Sequence, residues 1–417
     1  MKADSSADAT PARRITSIDA LRGLVIFTMI YVNDIAGVDS RIVPAWMRHY
    51  QGRSGMTFVD LVFPAFLFVM GMSVPIALHA RLARGEPLWK CLLHVALRTL
   101  SLLLIGILIV NGSPDAEKMG WSSSLWSALM FLSAIFAFSS LTLPGRAQAS
   151  RVITVVLRVL GFAALIFLAF AFRGRDGHRI ITLSPFSIHH EWYGILGLIG
   201  WAYLVAALVF LVFRTYRPAV LGCVVLLFCL YPADRAGAFD GFWLQRIVGI
   251  GGTLGSQGAI AVAGMLLASI LLTPEAAGIR ARTRFALLFI AGCSAGALLL
   301  HGLYGINKNQ ATPSWCLWAC AITAALWLLF YLLADVRPQG PSAKLAKPFA
   351  IAGSNVLLAY LLSEMHGSAL DLVGLGGWYY RLGAPDLAHA IARSIGCAVV
   401  ILAVTAGLNR LGFRLKL

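Results

Sequence analysis

The sequence is poor in charged residues. Only 12% of its 417 residues are charged, whereas soluble domains typically carry about 25%. Hydrophobic residues make up 59% of the chain, and its mean hydropathy is +0.80. The scarcity of charge excludes an ordinary soluble protein and indicates a polytopic membrane protein.

Two local patterns exclude further functions. Cys316 and Cys320 are four residues apart, but no Cys/His set accompanies them, so we predict no metal site. The glycine-rich run GIGGTLGSQG at 249–258 lacks the lysine of a phosphate-binding loop and follows no predicted strand. We interpret these glycines as positions where helices approach each other closely.

Long apolar segments fill most of the chain. A membrane-spanning helix needs about 20 largely apolar residues. On this rule we predict an all-α, polytopic transmembrane helix bundle with about 12 spans, within a range of 10–12, of which 218–232 is the shortest. The predicted spans are 17–37, 58–80, 91–112, 122–142, 151–172, 191–213, 218–232, 254–273, 283–304, 315–335, 347–365 and 388–409.

The net charge of +16 is distributed unevenly among the loops. Lysine and arginine are concentrated in alternate loops, which indicates membrane orientation rather than binding of nucleic acid. The positive-inside rule predicts that both termini are cytoplasmic. We therefore expect 1–14 to be a disordered cytoplasmic tail and 15–417 to be one transmembrane domain.

Polar residues interrupt the first two apolar segments. Asp19, Arg22 and Asn33 lie in the first, Asp60 opens the second, and His49 lies in the loop between them. Ionisable residues inside a membrane are costly, so each one is a candidate functional residue. The region from the first to the second span is therefore the predicted site.

His49 is the candidate catalytic residue. A neutral imidazole accepts a proton from an amine or hydroxyl near pH 7, and it can also attack a thioester. Asn33, at the outer end of the first span, is placed to orient the ring or to hold a carbonyl oxygen. The alternative is that His49 is an ordinary solvated loop residue.

Asp19 and Arg22 are three residues apart and share one helix face. They form either a self-neutralising pair that anchors the bundle, or part of a site for an anionic ligand from the cytoplasm. In the second case Arg98 joins them, since guanidinium groups bind phosphate well. We assign Asp19, Arg22 and Arg98 to cofactor binding.

A polar turn, GINKNQATPSW at 305–315, follows the ninth predicted span. We assign Asn307, Lys308 and Asn309, together with Asp60, to binding of a polar substrate. The alternative is an outer turn that only leads into the next helix, with Pro313 in its first turn. Composition and spacing alone do not separate an enzyme from a transporter.

Several long motifs resemble one known family, the heparan-α-glucosaminide N-acetyltransferases. They are SIDALRGLVIFTMIYVN, PAWMRHYQG and GMTFVDLVFPAFLFVMGMSVPIAL, followed by LRTLSLLLIGILIVN, GINKNQATPSW with FYLLADV, and PFAIAGSNVLLAYLL. Within the family, HEWYGILGLIGWAYL and INKNQATPSW resemble a bacterial branch associated with N-acetylglucosamine utilisation. Some members of that branch are described as sugar transporters.

The resemblance implies an acetyltransferase domain and its chemistry. The family moves acetyl from cytosolic acetyl-CoA to the amino group of a terminal glucosamine across the membrane, and its active-site histidine and asparagine match His49 and Asn33. We expect acetyl-CoA as co-substrate and no metal. Independently of the resemblance, we expect direct transfer with His49 as general base, and the alternative is an acetyl-histidine intermediate.

The same resemblance implies a location and partners. We expect a multi-pass protein of the bacterial inner membrane, in contact with lipid. The expected acceptor is a free amino sugar or a small glycan. The sequence does not distinguish a monomer from a homodimer. The alternative function is an inner-membrane transporter of N-acetylglucosamine.

Overall fold

The computed structural model describes residues 15–112, 114–272, 278–336 and 338–417. The predicted tail, 1–14, lies outside the described residues. Helices dominate what is described, as an all-α membrane protein requires. The α-helices are α1 (Thr16–Ile35), α2 (Val62–Ala83), α3 (Leu88–Val110), α4 (Ala116–Met119), α5 (Ser123–Ala137), α6 (Ala147–Ala171), α7 (Gly194–Phe213), α8 (Arg217–Arg235), α9 (Gly258–Ser269), α10 (Ile279–Tyr304), α11 (Pro313–Phe330), α12 (Pro341–Ala352), α13 (Val356–Leu372), α14 (Gly376–Leu382) and α15 (Leu387–Arg410).

Shorter elements connect these helices. The 3₁₀ helices are Ala45–Met47, Phe58–Leu61 and Trp243–Arg246, and the π-helical segments are Ile250–Gln257 and Tyr331–Asp335. The strands are β1 (Ser139–Leu141), β2 (Ile181–Leu183), β3 (Phe186–Ile188) and β4 (Phe413–Leu415). They form two antiparallel pairs, β1 with β4 and β2 with β3.

Every predicted span contains a helix, but not all twelve of these helices are long and apolar enough to cross a membrane. In the described parts of the chain, 9 helices are long and apolar enough to cross a membrane, or 10 if the pair Ala343–Ala352 and Val356–Leu372, bent by 64°, is one span. The other two predicted spans correspond to α1, which carries Asp19, Arg22 and Asp34, and to α5, which has only 15 residues. The count of twelve therefore stays a prediction.

The helices differ strongly in burial. In the 18-residue apolar stretch of each helix, the buried share is 83% for α9 with its preceding π-helical segment and 67% for α2 with its preceding 3₁₀ turn. It is only 17% for α8 and for α10. Peripheral helices expose large apolar side chains such as Leu226, Leu288 and Leu299. This distribution is that of a bundle whose outer helices face lipid and whose centre is formed by α2 and α9.

The central helices α2 and α9 cross at two glycines. A Cβ built on Gly71 would lie 1.9 Å from the carbonyl oxygen of Ala261, and one on Gly264 would lie 2.1 Å from that of Phe68. Only glycine allows the two backbones to come this close. Because α2 begins beside Asp60 and α9 follows Gln257, this crossing fixes the distance between the polar residues at their ends.

Both ends of the described chain lie at the same cavity. Ile15 and Leu417 line it together, and the β1–β4 pair holds the C-terminal segment against the end of α5. This arrangement is consistent with both ends on one side of the membrane. That this side is the cytoplasm remains a prediction from the loop charges.

The α2–α9 crossing gives the first testable prediction. Gly71→Val should lower the melting temperature of the detergent-solubilised protein sharply, because the added side chain meets backbone that cannot move aside; overpacking typically costs about 1–3 kcal/mol or more. Gly222→Val is the matched control, since a Cβ there meets nothing within 4 Å. Equal melting temperatures for the two variants would contradict this account of the crossing.

Candidate active site

His49 is held by a buried carboxylate. Asp60 lies in the 3₁₀ turn that precedes α2, and its side chain is only 3% exposed. Its Oδ1 lies 2.7 Å from Nδ1 of His49, while its Oδ2 accepts hydrogen bonds from the backbone N–H groups of Tyr50 (3.1 Å) and Thr57 (3.0 Å). The carboxylate therefore fixes the imidazole and the loop that carries it. With Nδ1–H donated to Asp60, Nε2 is left as the basic nitrogen.

Lys308 comes to the same imidazole from a distant part of the chain. Its Nζ lies 3.1 Å from Nδ1 and 3.4 Å from Nε2 of His49, and 3.9 Å from Oδ1 of Asp60. Burial lowers the pKa of the Lys308 ammonium, and the nearby Asp60 carboxylate opposes that effect. The site thus combines a base, a buried acid and an amine.

The other predicted substrate-binding residues have different surroundings. Asn307 holds its own turn together: its Oδ1 accepts from the N–H of Gln310, and its Nδ2 donates to the carbonyl of Arg53. Asn309 is exposed and lines a cavity beside Lys308. Asp60 is committed to His49 and to backbone groups, a geometry that fits positioning of the base rather than contact with substrate.

A first cavity, here named the arginine cavity, has a volume of about 510 Å³. It contains all three residues predicted to bind the cofactor, together with apolar side chains of α1, α2, α3 and α7. Its volume is within the usual range of about 300–1,000 Å³ for ligand sites. The polar residues that line it are Asp19, Arg22, Ser73, Arg98, Ser354, Asn355 and Tyr360.

The two arginines of this cavity differ in their contacts. Arg22 forms an ion pair with Asp19 at 3.1 Å and donates to Ser73 Oγ at 2.8 Å, so the predicted Asp19–Arg22 pair is present. Arg98 makes no hydrogen bond to any residue that the structure describes, and its buried Nε is without a partner. Its guanidinium lies 4.7 Å from the ring centroid of Tyr203.

A second cavity, here named the aromatic cavity, has a volume of about 600 Å³. Phe63, Trp192 and Tyr193 line it, with Lys308 and Asn309 at the side nearest His49. The ring of His190 stacks on Tyr193 with centroids 4.6 Å apart. Aromatic faces with a few polar groups between them are typical of sites for partly polar ligands.

A thin wall separates the two cavities. Ile195 lines both of them, while Phe63 faces the aromatic cavity and Phe66, one helical turn later, faces the arginine cavity. Asp60 precedes Phe63 by about one turn, whereas Ser73 lies about 20 Å further along α2, at roughly 1.5 Å per residue. The His49–Asp60 pair therefore lies about 20 Å along α2 from Ser73, to which Arg22 donates.

Asn33, the predicted partner of His49, contacts a different residue. Its Nδ2 donates to Oε1 of Glu364 at 2.9 Å, and no hydrogen bond joins it to His49 in the described structure. Met29 and Tyr360, each about one turn nearer the start of its helix, line the arginine cavity. We did not single out Glu364 from the sequence, although an acidic residue inside an apolar helix was the available signal.

A third polar cluster joins α1 to α15. Ligand atoms of Asp34, His366 and Cys397 lie within 4.8 Å of one another, so the described residues include one set close enough to hold a metal ion. However, Asp34 already accepts from Arg393 Nε at 3.0 Å and from Ser394 Oγ at 2.6 Å. A carboxylate neutralised in this way fits an anchor between helices better than a cation site.

Comparisons with known proteins match this chain to one domain family and to two relatives. A domain family of unknown function, DUF5009, matches residues 14–188. Heparan-alpha-glucosaminide N-acetyltransferase from Homo sapiens is 33% identical over 108 residues, and that from Mus musculus is 33% identical over 110 residues. The resemblance seen in the motifs is confirmed. The match to each N-acetyltransferase covers 26% of this chain, but only 15% of the human and 16% of the mouse protein.

We predict that the partly buried amine of Lys308 makes the stability of the protein depend on pH. Its pKa in the folded protein lies below the ordinary value of 10.5, so the unfolded chain binds this proton more tightly. Stability should therefore rise with pH from the folded-state pKa up to about 10.5. The melting temperature of the wild type minus that of Lys308→Met should increase over this interval. A constant or falling difference would contradict the prediction, and the exposed Lys90→Met is the control.

Proposed function

We propose that this protein is a transmembrane N-acetyltransferase that moves acetyl from cytoplasmic acetyl-CoA to the amino group of a glucosamine-like sugar. The observation that carries the proposal is the pair of cavities that share Ile195, with His49 and Asp60 next to one of them. The N-acetyltransferases matched over part of the chain support the same chemistry. The bacterial inner membrane is the proposed location.

The arginine cavity suits the donor. Acetyl-CoA supplies an acyl thioester on a long, flexible arm whose other end carries phosphates. Arg98, with a buried Nε that lacks a partner, provides a guanidinium for phosphate, and Arg22 adds a second one near the start of α1. The apolar walls formed by residues such as Val69 and Leu102 suit the arm.

The aromatic cavity suits the acceptor. Sugars present apolar ring faces that pack on aromatic side chains, and Trp192 and Tyr193 offer such faces. Lys308 lies at the edge of this cavity, with its Nζ 3.4 Å from Nε2 of His49. This distance supports the idea that an amine nitrogen of the acceptor can come within hydrogen-bonding reach of the imidazole.

The proposed reaction uses His49 as a general base. Nε2 accepts a proton from the acceptor amine while the amine nitrogen forms a bond to the thioester carbonyl carbon, and the C–S bond then breaks. Asp60 stabilises the imidazolium through Nδ1–H, and the proton passes to the departing thiolate. When charged, Lys308 stabilises the carbonyl oxygen as it becomes negative.

Direct transfer is preferred over an acetyl-histidine intermediate. The His49 side chain is 48% exposed, so an acetyl group carried on the imidazole would meet water. An acyl-imidazole is readily hydrolysed, and active sites that use reactive intermediates normally exclude water. The exposure therefore favours attack by a bound amine on the thioester itself.

The proposal is tested with purified protein, labelled acetyl-CoA and glucosamine. We expect labelled N-acetylglucosamine to form at a rate proportional to protein concentration. Two adjoining cavities also suit a transporter of N-acetylglucosamine, which would give no labelled product in this assay. Absence of product, together with uptake of N-acetylglucosamine into proteoliposomes, would replace the first proposal by the second.

We predict that substitutions in the His49–Asp60 pair lower turnover without unfolding the protein. His49→Ala should lower kcat by about 10²–10⁴, the usual contribution of a general base, while the KM for acetyl-CoA stays near the wild-type value. Asp60→Asn should also lower kcat, since the imidazole loses its negative partner. Wild-type turnover in His49→Ala, measured on protein with a normal melting temperature, would rule out His49 as the base.

We predict that replacing Arg98 weakens binding of the donor and not of the acceptor. Arg98→Gln should weaken equilibrium binding of CoA roughly 10- to 100-fold, because a hydrogen bond to a charged group is typically worth about 1.5–3 kcal/mol. Binding of glucosamine should be unchanged. Arg151→Gln, at an exposed position on α6, is the matched control. If both variants bind CoA as the wild type does, the phosphates are held elsewhere.

A further inference from the structure

Gln257 is a buried amide that lines the aromatic cavity without a hydrogen bond. The residue is 8% exposed, and its carbonyl oxygen Oε1 is buried with no partner. No hydrogen bond joins its side-chain N–H groups to any residue within the described ranges. An unpartnered buried polar group is costly, so a site that keeps one suggests a ligand that satisfies it.

Two other polar side chains around this cavity, Gln245 and Tyr193, already have partners. Gln245 donates to Asp234 Oδ1 at 2.9 Å and accepts from the N–H of Ile250 at 2.8 Å. The hydroxyl of Tyr193 donates to the carbonyl of Ile247 at 2.8 Å. These groups hold the cavity wall together. The amide of Gln257 makes no such hydrogen bond to the described residues of the cavity wall.

The backbone places Gln257 at the cavity by an unusual helix. Residues Ile250–Gln257 form a π-helical segment, and α9 continues from Gly258. π-Helical turns are rare and frequently occur at functional sites, because an additional residue in the turn shifts the side chains around the axis. Thr253, on the same segment, also lines the cavity. The glycine-rich run thus presents polar side chains in addition to allowing close packing.

We propose that Gln257 recognises a hydroxyl group of the acceptor and thereby selects sugars among amines. This inference rests on the proposed function, because it places the amino group of the same molecule near His49 and Lys308. A hydroxyl both donates and accepts, and a primary amide offers both kinds of partner. An aliphatic amine of similar size leaves the amide unpaired, and sites built for a hydroxyl reject such analogues strongly.

The test measures binding without acetyl-CoA, so that it does not depend on transfer. Glucosamine, its 3-, 4- and 6-deoxy analogues and cyclohexylamine are titrated against wild type, Gln257→Leu and the control Gln148→Leu, which changes an exposed amide on α6. We expect Gln257→Leu to weaken glucosamine binding roughly tenfold. The deoxy analogue that lacks the recognised hydroxyl should show the same loss with wild type and no further loss with Gln257→Leu.

The outcomes separate this inference from the proposed function. If Gln257→Leu binds glucosamine as tightly as Gln148→Leu does, the inference is overturned, even where wild type transfers acetyl normally. If wild type binds glucosamine in a Gln257-dependent way but transfers no acetyl, the recognition site stands and the acetyltransferase proposal fails. If wild type discriminates no deoxy analogue from glucosamine, no hydroxyl is recognised and the inference fails.

Discussion

The candidate site depends on one buried carboxylate. Asp60 is 2% exposed and is surrounded by the imidazole of His49 and two backbone N–H groups. A buried charge is tolerable only when such partners satisfy it, so the loop before α2 has little freedom to rearrange. The same constraint that holds the loop gives the imidazole a fixed tautomer and leaves Nε2 available. The position of the imidazole and the conformation of the loop therefore both depend on this one carboxylate.

The close crossing of α2 and α9 extends this constraint through the bundle. The turn before α2 carries Asp60, the first turns of α2 carry Phe63 and Phe66, and Ser73, near the middle of α2, accepts from Arg22. The π-helical segment before α9 carries Gln257 at the aromatic cavity. Two rigid, closely packed helices thus set the relative positions of the base, the dividing wall and both proposed ligand sites.

Much of the fold could be predicted from the sequence, because long apolar runs directly reflect the thickness of a membrane. The candidate residues near His49 could also be found, since polar groups in such runs are conspicuous. The long-range contacts that these residues make could not be predicted. Lys308 meets His49 across 259 residues of sequence, and Asn33 meets Glu364 across 331, and such pairs follow from helix packing rather than local pattern. Likewise, Gln257 lies in a run that we interpreted as packing glycines, because a π-helical turn has no simple sequence signature.

The central claim, that acetyl passes between ligands on opposite sides of the membrane, is tested most directly in sealed proteoliposomes. Glucosamine is trapped inside, labelled acetyl-CoA is added outside, and external labelled N-acetylglucosamine in a parallel sample controls for transport. The account predicts that labelled N-acetylglucosamine accumulates inside, in molecules whose arginine cavity faces outward, while external N-acetylglucosamine does not enter. Product that forms only when glucosamine and acetyl-CoA share one side would contradict it.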